Sequence, residues 1–278
     1  MKAHFLYFLL IINAITLAAQ DSKLTHQTEP LSIGEKVTLR SNILKENRVL
    51  NIYLPHGYDA TGNTSYPVIY LLDGSIDEDF IHISGLVQFG SFSWINILPQ
   101  SIVVGISNVD RKKDFTWPSK SKLDQDEFPT SGHSTPFINF IDKEVQPYID
   151  NNYNTSKTKT LIGQSLGGLL ASEILFKNPD MFDNYVIISP SLWWDDQSLY
   201  NDTPKSYTGQ KSIYIAVGNE GARAKEAMQR FYDKLVALNT GNTKLYFKFF
   251  EKQDHGDVLH LAVYDAFEKI FKKEDQKK

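Results

Sequence analysis

One stretch restricts this chain more than any other: Thr160-Leu161-Ile162-Gly163-Gln164-Ser165-Leu166-Gly167-Gly168-Leu169-Leu170. A short apolar run breaks at Gly163 and resumes as a small-residue helix through Leu175. Inside it lies G-x-S-x-G, as Gly163-Gln164-Ser165-Leu166-Gly167. A strand must turn at once into a helix, with Ser165 at the apex in a strained backbone conformation. Glycines two before and two after keep side chains out of that turn. The helix that starts here aims its free N–H groups and positive dipole end at the serine, which favours a developing oxyanion. The pentapeptide alone is common, and a glycine-rich turn without chemistry is its bland reading. The strand before it and the helix after it are the context that raises it.

The rest of the chain supplies a sheet for that strand. Continuous apolar runs mark strands buried on both faces: Tyr66 to Leu72, Ser101 to Ile106, Lys159 to Ile162, Tyr185 to Ile188, Ser212 to Val217 and Lys244 to Phe250. Helical spacing appears at Phe137 to Asn151, Leu166 to Lys177, Ala222 to Leu238 and Val258 to Phe271. Strands alternating with helices predict an α/β fold, a mostly parallel sheet with helices on both faces. Glu35 to Leu39 and Val49 to Leu54 predict an antiparallel N-terminal hairpin at its edge. One domain is expected over residues 32–275, after a polar leader at 20–31.

Residues 1–19 read as a signal peptide. Phe5 to Ile15 is apolar apart from Asn13, and Leu17-Ala18-Ala19 offers small residues for cleavage. The run is short for a span of ~20 residues. The mature chain is thus expected in the periplasm or secreted, with no stable membrane association after cleavage. There are 0 cysteines, which removes disulfides, thiolate metal sites and a cysteine nucleophile. A formal net charge of -4 and the lack of a basic stripe speak against nucleic acid as a partner.

In a sheet of this kind ligands bind at the carboxyl ends of the strands, so residues just after each strand matter most. These are Asp73-Gly74-Ser75, Ser165, Ser189 to Asp196, Gly218-Asn219-Glu220-Gly221 and Glu251 to Asp257. A serine hydroxyl needs a base within hydrogen-bond reach, and His255 is the candidate, with His260 its main rival. The base needs an acid to fix its tautomer. Glu220 is favoured, and Asp195 or Asp196 is the alternative; without a catalytic role, Glu220 would only pair with the start of a helix. The oxyanion donors are expected to be the backbone N–H of Leu166 and one from Gly74, Ser75 or the following Ile76.

Tyr70-Leu71-Leu72-Asp73-Gly74, Gly163 to Gly168, Ser189-Pro190-Ser191-Leu192-Trp193-Trp194-Asp195, Gly218 to Gly221 and Asp254-His255-Gly256 together resemble the putative-esterase family of α/β hydrolases. The resemblance runs from about Arg48 to Phe271 and is most specific at Pro190 to Asp195, which is similar to the siderophore-esterase branch. It implies the α/β-hydrolase fold, Ser165 as nucleophile, His255 as base and Glu220 as acid. It also implies a small-molecule ester substrate, such as a siderophore trilactone or other aromatic ester, and no metal or organic cofactor.

Trp193 and Trp194 are candidates to stack on an aromatic substrate, or else at least one is core. Arg111 could attract an anionic group, or belong to a solvated loop. Phe115 to Pro136 is long and irregular, and is expected to act as a lid. The expected activity is an exported serine esterase. Its rivals are an acyltransferase on the same scaffold and an inactive binding protein. Oligomeric state is not legible in the sequence.

Overall fold

The computed structural model describes residues 26–238 and 241–272, so the signal-peptide reading lies outside the described residues. Residues 26–32 carry no helix or strand, and Ile33–Lys278 is a compact unit of its own.

Eight strands form one sheet: β1 (Gly34–Arg40), β2 (Asn47–Tyr53), β3 (Tyr66–Leu71), β4 (Ile102–Ile106), β5 (Thr155–Gln164), β6 (Asn184–Ile188), β7 (Lys211–Gly218) and β8 (Thr243–Phe250). Their order is β1-β2-β4-β3-β5-β6-β7-β8. β1 and β2 are antiparallel, β2 is antiparallel to β4, and every pairing from β4 through β8 is parallel. The expected hairpin and parallel sheet are both present.

Five of the six continuous apolar runs have the cause assigned to them; the exception is β8, which ends the strand order and has no fully buried residue, so its run marks a half-covered edge strand. Successive side chains of a strand point to opposite faces. On β3, Val68 and Tyr70 join one core while Ile69 and Leu71 join the other. Five longer helices cover the two faces: α1 (Phe80–Gly90), α2 (Ser134–Phe140), α3 (Leu166–Lys177), α4 (Ala222–Leu238) and α5 (Val258–Phe271). α1 and α5 pack on one face through Ile83, Val87, Ala262 and Phe267. α2, α3 and α4 pack on the other through Phe137, Leu169, Leu170 and Phe231. α2 runs through a π turn at Ile141–Val145 into a further helix, Gln146–Asn152, where the sequence showed one helical stretch. No helix among the described residues is long and apolar enough to cross a membrane.

Phe115 to Pro136 is not the free-standing lid expected from its composition. Phe115 and Thr116 are fully buried, and Trp117 nearly so. The Asp195 carboxylate ties the segment down, accepting from Lys120 N at 2.6 Å and Ser119 Oγ at 3.2 Å. Asp124 returns the contact by accepting from Asp195 N at 2.8 Å.

Candidate active site

β5 delivers the serine. Its last residue is Gln164, and Ser165 follows at φ 57°, ψ -121°, an unfavourable backbone for a residue with a side chain. The neighbouring strand holds that conformation. Ser165 N donates to Ile188 O at 3.1 Å, and Ser165 O accepts from Leu169 N at 2.9 Å and Ser191 N at 3.0 Å. Gly163 is required here, because a Cβ on it would stand 2.4 Å from Gly167 O. The hydroxyl itself lies 3.4 Å from Ser191 Oγ.

The histidine arrives at the same end of the sheet. Gln164, immediately before the serine, donates through Nε2 to His255 O at 2.5 Å. His255 Nδ1 meets Glu220 Oε2 at 2.8 Å, and Ser189 Oγ donates to the other Glu220 oxygen at 2.5 Å. With Nδ1 turned to the acid, Nε2 is the nitrogen left to face a hydroxyl. The structure forms no Ser165–His255 hydrogen bond; such contacts commonly tighten only when ligand is bound. Burial pushes the Glu220 carboxyl up, but hydrogen bonds from His255 and Ser189 outweigh it and hold the group below the usual carboxylate range. The hydrogen bond to Glu220 raises the His255 pKa, against partial burial and the Arg111 charge, which lower it.

The alternatives are placed elsewhere. Asp195 is taken by Lys120 and Ser119, and Asp196 is exposed. His260 packs edge-on against His82, with ring centroids 5.3 Å apart.

The oxyanion donors divide. The Leu166 N–H opens α3 and has no acceptor among the described residues. Gly74 corrects the expectation: its N–H is spent on Ile106 O at 3.0 Å, because the chain stays paired with β4's end for one residue beyond β3. That leaves Ser75, whose N–H makes an exposed 3.2 Å contact with Glu78 Oε2, and Ile76 after it. Arg111 grips Asp73 with two bonds, 2.6 and 2.9 Å, and reaches Gln164 O at 3.3 Å. Its charge is matched within the protein, and it braces the loops flanking Ser165.

A pocket of ≈ 450 Å³ opens beside His255 and Glu220, between the Ser189–Gln197 segment and α4. Trp193 is half exposed and lines it. Trp194 does not: it is fully buried, donates Nε1 to Trp117 O at 3.0 Å and packs edge-on against Phe128. The expected pair of substrate-facing tryptophans is therefore one surface ring and one core ring: both pack on Phe128, but Trp194 lies beneath and Trp193 at the surface.

A family model described as Putative esterase matches residues 41–262. The chain belongs to this esterase family. It is 28% identical over 253 residues to ferri-bacillibactin esterase BesA of Bacillus subtilis, covering 83% of this chain and 87% of BesA. Among solved structures, an IroE-like serine hydrolase from Shewanella oneidensis superposes with a TM-score of 0.77 at 31% identity, covering 86% of this chain and 80% of that one. The BES protein from Bacillus cereus gives 0.75 at 26%, covering 89% and 98%. The fold is that of the α/β hydrolases.

The sequence reading gave no role to two serines and one helix face that line the site. Ser189, Ser191 and the apolar face of α4 (Ala224, Ala227 and Met228) lie where the sequence placed the cleft. A serine among serines, or an alanine on a helix, carries no signal of its own. The Glu220–His255 contact yields a test. Glu220→Gln should lower kcat/KM by roughly 10³-fold, since an amide cannot hold the imidazolium in place. The acidic limb of the pH–rate profile should also move down, because the group that raises the His255 pKa is gone. A profile unchanged in height and position would separate Glu220 from the chemistry.

Proposed function

We propose that this protein is an exported serine esterase that hydrolyses a carboxylic ester through an acyl-enzyme. The observation that carries the reading is the Ser189–Glu220–His255 chain of short hydrogen bonds ending beside the strained turn at Ser165. The Ser165 hydroxyl turns from Ser191 to His255 Nε2, gives up its proton there and attacks the ester carbonyl. The oxyanion is held by the Leu166 N–H, at the positive end of α3, and by Ser75, which exchanges its 3.2 Å contact with Glu78 for a shorter, charge-assisted one. His255 then protonates the leaving alcohol, and water releases the acyl group by the reverse route. Export rests on the apolar N-terminal run and the small residues after it.

The relatives direct the choice of substrate. BesA carries ferri-bacillibactin in its name, and a trilactone siderophore is the first ester to test. Chain lacking residues 1–19 is incubated with ferric and iron-free trilactones, and with feruloyl and acetyl sugars, and the products are read by mass spectrometry. Ester cleavage that is absent in Ser165→Ala supports the reading. Adding an acceptor alcohol separates hydrolysis from acyl transfer. No cleavage of any ester above the Ser165→Ala background would defeat it.

The titration of His255 makes a second test. The imidazole serves as base only when neutral, so activity rises as pH climbs through its pKa. Glu220 raises that pKa, so the midpoint of the kcat/KM profile should lie above the ordinary ~6.5 of histidine. A midpoint below that value would contradict the pairing.

A further inference from the structure

The pocket beside His255 is asymmetric. Its inner wall is apolar, with Val217 and Met228 buried, while Trp193 and Arg223 stand exposed at its edge. Arg223 differs from the other arginines near the site. Arg111 is neutralised by Asp73, and Arg230 is held at Gln197 and lies over the Tyr200 ring at 4.0 Å. Arg223 has neither hydrogen bond nor ion pair among the described residues, although it faces a cleft that could hold a guest. The one carboxylate lining the cleft is Glu220, and both its oxygens are occupied, by Ser189 and His255. An anion entering this slot therefore meets a free guanidinium and no free carboxylate, beside an aromatic face.

We infer that Arg223 makes the slot select esters whose ring-bearing part carries a negatively charged group. The ring packs against Trp193 and the apolar wall, and the charged substituent pairs with the guanidinium. The inference rests on the esterase reading and adds to it the charge of the substrate. The likeness between an aryl carboxylate and a deprotonated phenol at this position is one of charge, and either can be tried.

Two matched ester pairs test it. 4-Nitrophenyl benzoate against 4-nitrophenyl 4-carboxybenzoate places the charge on the acyl side. Phenyl acetate against 4-carboxyphenyl acetate places it on the alcohol side. In Arg223→Met, kcat/KM for the anionic member of one pair should fall roughly 5- to 20-fold while its neutral partner is unchanged. Arg223→Glu should lower it further, and added salt should erode the wild-type preference. The responding pair shows which part of the ester the slot takes. Unchanged ratios in both pairs and both variants would overturn the inference, even with normal turnover of the neutral esters. Failure of every ester, neutral ones included, would instead strike the esterase reading. A binding arm that needs no turnover keeps the two apart: calorimetry of 4-hydroxybenzoate and 4-hydroxybenzamide on Ser165→Ala. Loss of Arg223 should weaken the carboxylate and spare the amide; equal affinities before and after would overturn the inference here too.

Discussion

Ser165→Ala should lower kcat/KM for a p-nitrophenyl ester by roughly 10⁴-fold or more while leaving the thermal midpoint close to wild type. The size of the loss follows from covalent chemistry: without the hydroxyl no acyl-enzyme forms, and only the N–H donors and binding remain. The fold should not notice, because alanine keeps the Cβ and the backbone bonds to Ile188, Leu169 and Ser191 are made by main-chain atoms of residue 165. The neighbouring hydroxyl supplies an internal control. Ser191 Oγ stands 3.4 Å from Ser165 Oγ, so Ser191→Ala tests whether the wrong serine has been chosen. Its expected cost is under about 10-fold, the loss of one neutral hydrogen bond. Activity that survives Ser165→Ala and disappears in Ser191→Ala would move the nucleophile.

The second large effect is on stability. Trp194→Ala should cost about 3–5 kcal/mol, the range for truncating a buried aromatic ring. The ring is fully buried against Phe128 and Trp193, and its N–H satisfies the Trp117 carbonyl. Removing it opens a cavity and strands that carbonyl in one step. Trp194→Phe should recover most of the packing and leave a deficit of about 1–2 kcal/mol. Trp193→Ala, half exposed, should cost under about 1 kcal/mol and show instead as a raised KM. Urea unfolding of the three variants reads all of this from their midpoints. Equal losses for the two alanine variants would contradict the division of the tryptophans between core and cleft.

These residues also show what a sequence can and cannot carry. Five of the six parallel strands were visible because burial on both faces leaves an unbroken apolar run, as at Val68 to Leu71, whereas β8 shows a similar run although it is a partly exposed edge strand. The serine turn was visible because its backbone demands glycine at fixed offsets. Helix α1 was passed over: it has Gly85 in its middle, no side-chain cap and no acid in its first turn, so it lacks the signals that announce a helix. The chain order of Ser165, Glu220 and His255 was legible, and Glu220 was favoured over Asp195 by its place after a strand, but the contact that separates the two carboxylates was not legible. It depends on which carboxylate the 115–136 segment captures, and that is a tertiary contact. The Gly74 amide was misassigned for a related reason. Whether an N–H is free depends on how far a strand's pairing continues, which composition does not record.

In the proposed mechanism the Ser165 hydroxyl oxygen, activated by His255, is what becomes acylated. A p-nitrophenyl phosphonate traps such a nucleophile as a stable tetrahedral adduct. Peptide mapping of the treated protein by mass spectrometry should place a single adduct on the Ser165 peptide, formed in step with loss of esterase activity. The rate of labelling should collapse in His255→Ala. An adduct on any other residue, or full inactivation with Ser165 unmodified, would contradict it.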